Sequence, residues 1–127
     1  MPKQLLLCWA ILCSGVITYF CLIDSSNIPA VNFPSIDKIV HFCFHFGFTF
    51  SWILFFKKEL KGKEADDYKA YLISFIFSVF FGITIEILQS VFTITRAADV
   101  TDILANTIGG TAGVFTCIAF KKQIDKI

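Results

Sequence analysis

Charged residues are scarce in this chain, and their scarcity argues against an ordinary water-soluble domain. Only 17% of the 127 residues are Asp, Glu, Lys or Arg, whereas 56% are hydrophobic, and the mean hydropathy is +0.72. Sixteen residues are phenylalanine, which suits lipid-facing helices better than a core surrounded by water. The net charge of +1 identifies no partner, because the positions of the charges matter more than their sum.

Residue spacings that indicate a disulfide framework or a metal site are also missing. The five cysteines fall within apolar runs and form no CxxC pair: Cys8, Cys13, Cys21, Cys43 and Cys117. We interpret them as small hydrophobic side chains. No HExxH spacing occurs and no serine belongs to a recognisable base–nucleophile arrangement. The sequence therefore predicts no metal and no cofactor, and it leaves open whether the chain is an enzyme.

Four long apolar runs are present, and each is long enough to cross a bilayer of about 30 Å. We predict membrane-spanning helices at about 5–23, 37–56, 70–92 and 101–120. A cleaved signal peptide is disfavoured for the first run, because it is longer than the usual apolar region and no A-x-A site follows. The predicted fold is all-α: a polytopic membrane protein with a four-helix transmembrane bundle, forming one domain over 1–127.

Lysine and arginine are distributed unevenly among the segments between these runs. Nine of the eleven basic residues lie in the N-terminal tail, in a charged connector at 57–69 and in the C-terminal tail, and the other two are Lys38 and Arg96. The positive-inside rule places the Lys-rich segments in the cytoplasm. We therefore predict a multi-pass protein of the cytoplasmic (inner) membrane with both termini cytoplasmic.

The polar residues within the runs gather on the side predicted to be outer. They are Asp37, His41 and His45 in the second span, Glu86 and Gln89 in the third, Asp102 and Asn106 in the fourth, and Arg96 and Asp99 in the turn before it. Each set has helical spacing, so its members share a face. These residues predict one polar pocket that opens to the outer face, with no counterpart in the cytoplasmic half.

Glu86 is the most informative of these residues, because an ionisable side chain in hydrocarbon costs about 2.5–3.5 kcal/mol even on insertion scales. We expect it to pair with Arg96, His41 or His45, or else to stay protonated, since burial disfavours the charged form. A purely structural role as a tie between helices stays open for the whole set.

Structural alternatives also remain for individual residues. Asp99 and Asp102 could form a capping box for the fourth helix, with Arg96 neutralising them. Asp37 could be a plain N-cap, and His45, which lies between phenylalanines, could be a packing residue. The small residues at Ala105, Gly109 and Gly113 predict close packing of the fourth helix against a neighbour.

Three blocks of sequence resemble the signature of the VanZ-like family. They are DKIVHF (37–42), EILQ (86–89) and RAADVTDILANTIGG (96–110), in the family's order. The family pattern is D-K-x-x-H-F, then E-x-x-Q, then R-x-x-D-x-x-D-x-x-x-N-x-x-G. The first span carries no motif, so the resemblance extends from Asp37 onward. It points to Asp37, His41, Glu86, Gln89, Arg96, Asp99, Asp102 and Asn106 as binding residues.

The resemblance implies a small bacterial membrane protein of a family associated with low-level resistance to the glycopeptide teicoplanin. Three hypotheses follow: an envelope factor that binds an amphiphile or a lipid-linked component, an intramembrane enzyme, or a non-catalytic subunit. In the enzyme, Glu86 or His41 would be the acid or base acting on a lipid-linked substrate. A metal held by His41, Glu86 and Asp102 is chemically conceivable but has no support from spacing. We expect the bilayer as a partner and no nucleic acid, and the oligomeric state stays open.

Overall fold

A computed structural model describes residues 1–23, 36–93 and 99–127. These residues form four long helices, α1 (Lys3–Leu22), α2 (Ile36–Glu59), α3 (Asp66–Phe92) and α4 (Val100–Ala119), followed by the short α5 (Lys121–Ile124). All of the regular secondary structure in the described residues is helical. Residues 24–35 and 94–98, which lie between the first two and the last two predicted spans, are outside the described residues.

The four long helices are each long and apolar enough to cross a membrane. Each also exposes large apolar side chains, among them Leu12 on α1, Phe80 on α3 and Phe115 on α4. Apolar surface of this extent would be costly in water, whereas lipid covers it at no cost. The prediction of an all-α, four-span membrane protein is confirmed.

Both termini and the α2–α3 connector meet at one end of the bundle, which we call the terminus end. Lys3 forms a 2.8 Å ion pair with Glu59, and Lys57 forms a 2.8 Å ion pair with Asp125. At the opposite end, Lys38 of α2 lies 2.9 Å from Asp99, the residue that precedes α4. Because α2 and α4 begin at the same end, they run parallel, and we call this end the Lys38 end.

Helices α2 and α4 approach so closely that glycine is required between them. A Cβ on Gly109 would lie 2.2 Å from the backbone oxygen of Phe42, and one on Gly113 would lie 3.1 Å from that of Phe46. The predicted small-residue packing of the fourth helix is thus confirmed at both glycines, with α2 as the neighbour. This close approach brings the polar residues of α2 and α4 together.

Two predictions about the terminus end were wrong. Helix α2 continues to Glu59 and α3 begins at Asp66, so the charged connector shrinks from 57–69 to 60–65. The terminus end also has a polar cluster of its own, since the side chain of Lys57 is only 9% exposed and lies 2.7 Å from Asp67. Lys57 and Asp67, which the sequence analysis placed in the connector, thus pair with each other from within α2 and α3. Charged residues at this end therefore belong to the helices as well as to the connector.

Candidate functional site

His41 and Asn106 form the centre of a buried polar cluster at the Lys38 end. Nδ1 of His41 lies 3.0 Å from Oδ1 of Asn106, across the contact between α2 and α4. Because an amide oxygen only accepts, this arrangement makes the Nδ1–H group of His41 the donor. The other ring nitrogen, Nε2, then faces Oδ2 of Asp102 at 3.5 Å.

Glu86 joins this cluster from α3. Its side chain is 2% exposed, and its Oε1 lies 3.9 Å from Nδ1 of His41. Oε2 accepts a 3.1 Å hydrogen bond from the backbone N–H of Asp99. Oε1 makes no hydrogen bond to any described residue. A buried carboxylate oxygen without a donor is costly, so this atom marks a place where a proton, a cation or a ligand would be stabilising.

Lys38 is the cation among the described residues of the cluster, and the sequence interpretation missed it. Its ammonium group pairs with both Asp99 and Asp102. The sequence did contain a signal, because Lys38 lies three residues before His41 and therefore shares its helix face. The sequence interpretation assigns the basic role to Arg96 instead, and Arg96 lies outside the described residues.

Asp99 caps α4, but the predicted capping box does not form. The Asp99 side chain accepts hydrogen bonds from both the backbone N–H (2.9 Å) and the hydroxyl (2.7 Å) of Thr101. In a capping box, Asp102 would accept the backbone N–H of Asp99 in return. That N–H is bonded to Glu86 instead, and Asp102 is engaged by Lys38 and His41.

Exposure falls steadily from the end of the bundle inward. The exposed fraction of the side chain is 44% for Asp99, 34% for Lys38, 11% for Asp102 and 2% for Glu86. Among the described residues, the deep side chains of the predicted pocket are therefore buried against one another, and those at its rim are partly exposed.

The charges at the rim shift the pKa of Asp99. Hydrogen bonds from Lys38 and then from Thr101 lower the pKa of this carboxyl to about 2, so Asp99 is ionised at neutral pH. Within the described part of the cluster there are three carboxyl groups and one ammonium group. The cluster is consequently rich in acceptor oxygens.

Three other predicted residues form no hydrogen bond or ion pair with the described residues of the cluster. Gln89 is buried on α3. Its amide donates a 2.7 Å hydrogen bond to the carbonyl of Cys21, and it therefore links α3 to α1 rather than to α2 or α4. Asp37 is exposed in the first turn of α2, which begins at Ile36, so Asp37 does not cap the helix as predicted. His45 is buried among aromatic rings, and its Nδ1 lies 3.1 Å from the hydroxyl of Ser78.

The chain matches the model of one protein family, VanZ/LLP1, over residues 7–121. The match extends the sequence resemblance, which began at Asp37, into most of α1. No curated protein and no solved structure matches the chain.

Proposed function

Because the chain belongs to the VanZ/LLP1 family, we propose that it acts at the bacterial cell envelope by recognising an amphiphile or a lipid-linked component. The polar head of this ligand is held at the rim formed by Lys38, Asp99 and Asp102. The biological outcome that we propose is tolerance of a glycopeptide, teicoplanin. The observation that supports this proposal is that partly exposed charged side chains lie directly above a buried polar cluster. Both lie within a bundle whose outer surface is apolar.

The surroundings of the rim support an amphiphile rather than a fully water-soluble ligand. Ile39 follows Lys38 directly, and Val100 follows Asp99, and both apolar side chains are exposed. Leu104, near Asp102 on α4, is exposed as well. A ligand with a charged head and an apolar tail would satisfy both kinds of surface, because the tail stays in lipid while the head replaces water at the ion pairs.

Tolerance measurements in a susceptible bacterial host test the proposal. Teicoplanin carries an acyl tail and vancomycin does not, so expression of the chain should raise the inhibitory concentration of teicoplanin more than that of vancomycin. Glu86→Gln and His41→Ala should abolish this difference at equal protein levels in the membrane. Asp37→Asn, an exposed carboxyl in the first turn of α2, is the matched control and should behave as wild type.

Two outcomes would contradict the proposal in different ways. Equal protection against both drugs would indicate a general effect on the envelope rather than recognition of a tail. Protection that survives Glu86→Gln and His41→Ala would show that the cluster only ties helices together. The empty vector sets the baseline for both comparisons.

A second candidate function is an intramembrane enzyme that acts on a lipid-linked substrate. It is favoured by the partial hydrogen bonding of Glu86, whose Oε1 has no partner among the described residues, and by the 3.9 Å separation of this oxygen from Nδ1 of His41. A carboxyl group and an imidazole at this separation suit an acid/base pair. Purified protein incubated with bacterial envelope lipids should then yield a new product by mass spectrometry, and Glu86→Gln should yield none.

A further inference from the structure

We propose that His41, Glu86 and Asp102 bind one divalent metal ion, Zn²⁺ or Mn²⁺, at the centre of the buried cluster. One potential ligand atom from each of the three residues lies within 4.8 Å of the other two. The site goes beyond the proposed function and does not depend on it. Each residue comes from a different helix, α2, α3 and α4, so the ion would also fasten the bundle at the Lys38 end.

The distances fit ligands of a single ion. Zinc bonds of about 2.0–2.2 Å at tetrahedral angles place ligand atoms roughly 3.3–3.6 Å apart. Nε2 of His41 and Oδ2 of Asp102 are 3.5 Å apart. All three ligand atoms lie within 4.8 Å of one another, so side-chain movements of roughly 1 Å would bring them to the tetrahedral spacing.

The hydrogen-bonding state of His41 provides an independent reason. Its Nδ1 lies against the accepting Oδ1 of Asn106, which leaves Nε2 as the nitrogen that faces a carboxylate oxygen of Asp102. Two acceptors at 3.5 Å repel each other unless a proton or a metal ion lies between them. Asn106 meanwhile holds the ring as the outer partner of a metal-bound histidine commonly does.

Glu86 offers the third ligand through its unpartnered oxygen Oε1, which lies 3.9 Å from the other ring nitrogen of His41, Nδ1. Oε1 is buried and makes no hydrogen bond to a described residue, while Oε2 is held by the backbone N–H of Asp99. A carboxylate fixed through one oxygen and open at the other is positioned to bind a cation. With Lys38 paired to Asp99 and Asp102, a divalent ion would offset the remaining negative charge of the described cluster.

The combination of one imidazole and two carboxylates favours particular metals. Imidazole suits zinc, copper, iron and nickel, whereas carboxylates suit manganese and other harder ions, so Zn²⁺ and Mn²⁺ are the appropriate probes. Three protein ligands leave at least one coordination position for water or a ligand, which is the pattern of open metal sites.

Metal binding to the purified full-length chain tests the site directly. After chelator treatment and removal of any affinity tag, the wild-type protein in detergent should take up roughly one Zn²⁺ or Mn²⁺ per chain. His41→Ala, Glu86→Gln and Asp102→Asn should each lower the affinity by roughly tenfold or more. Size-exclusion profiles and far-UV circular dichroism verify that each variant is folded.

Two matched variants remove the same chemical groups next to the site. His45→Gln removes the only other histidine of the chain, and Asp37→Asn removes an exposed carboxylate in the first turn of α2. Both should keep the wild-type affinity. A second measurement needs no variant: pulsed electron paramagnetic resonance of the Mn²⁺-loaded wild type should detect one directly bound histidine nitrogen.

The proposal is overturned if the folded wild type takes up neither ion. It is equally overturned if His41→Ala and Glu86→Gln bind as wild type, or if bound Mn²⁺ shows no nitrogen coupling. Amphiphile recognition would be unaffected, because it is measured separately by drug tolerance.

Discussion

The backbone N–H of Asp99 donates a 3.1 Å hydrogen bond to Oε2 of Glu86, and this bond joins the start of α4 to α3. The side chain of the same residue faces the other way, toward Lys38 and Thr101. Asp99 therefore has two separable roles, since a change of its side chain leaves the backbone donor in place. This separation makes Asp99 a useful position for testing the charged rim without removing the anchor of Glu86.

The rim should lose stability in acid because of Asp99. Its pKa is lowered from the ordinary 3.8 to about 2, first by the hydrogen bond from Lys38. An acid with a depressed pKa binds fewer protons in the folded state, so its stabilisation is complete above pH 3.8 and disappears as the pH falls toward 2. We expect the Tm of the wild type to fall more steeply across this window than that of Asp99→Asn.

The comparison with a second carboxyl group makes this test specific. Asp37→Asn removes an exposed carboxyl near the same end of the bundle, and it should keep the wild-type slope. Contributions from the terminus end, where Lys121 lowers the pKa of Asp125, are common to all three proteins and cancel. Parallel curves for wild type and Asp99→Asn would contradict the assignment.

Removal of the ammonium group of Lys38 should destabilise the Lys38 end. Lys38→Met keeps most of the apolar stem but leaves Asp99 and Asp102 without their shared cation. Because the Lys38 side chain is 34% exposed, solvent screening limits the expected loss to about 1 kcal/mol. Thermal unfolding in detergent measures it, and Lys122→Met, at an exposed position of the terminus end, is the control.

A double variant identifies the cause of that loss. If Lys38 acts by neutralising carboxylates, Lys38→Met combined with Asp102→Asn should recover part of the stability, because one of the unpaired charges is gone. A double variant that loses the full sum of both single effects would instead indicate that Lys38 and Asp102 act independently.

The contact between α2 and α4 predicts a large difference between two glycines. In Gly109→Ala the new Cβ would lie 2.2 Å from the backbone oxygen of Phe42, so the helices must separate, at a cost of about 1–3 kcal/mol. In Gly47→Ala, the Cβ would meet nothing within 4 Å. This control should be neutral or stabilising by up to about 1 kcal/mol, because alanine favours helix.

Membrane abundance and Tm together measure this difference. Gly109→Leu should lower abundance further than Gly109→Ala, since the larger side chain forces the helices farther apart. Equal Tm values for Gly109→Ala and Gly47→Ala would show that α2 and α4 are not in the close contact described here.

The bundle can lie in the membrane in two orientations, with the terminus end either in the cytoplasm or outside. Both termini and the connector lie at the terminus end, so they must share one side of the membrane. The lysine distribution predicts that this side is the cytoplasm. Labelling of single introduced cysteines should place Lys61 and Lys122 inside and Asn27 and Arg96 outside. Protection of the cysteine at Asn27 together with labelling at Lys122 from outside would reverse the orientation.

The members of the cluster were predictable to different degrees. Polar residues within apolar helices are costly and must face one another, so the sequence was sufficient to group His41, Glu86, Asp102 and Asn106. It could not separate Gln89 from this group, because the carbonyl of Cys21 that Gln89 reaches comes from α1, whose rotation and depth no local pattern specifies. The spacing rules for metal sites could not indicate the proposed site either. Those rules describe ligands within one segment of sequence, whereas His41, Glu86 and Asp102 come from three different helices.

The sequence by itself determined the number of spans, since hydropathy over about 20 residues decides which segments enter lipid. The small residues at Gly109 and Gly113 also predicted a close contact between helices. Only the tertiary structure decided that α2 is the partner, because helices of similar hydropathy are interchangeable until their surfaces meet. That contact then placed Lys38 between Asp99 and Asp102, and it set the distances that make a metal site testable.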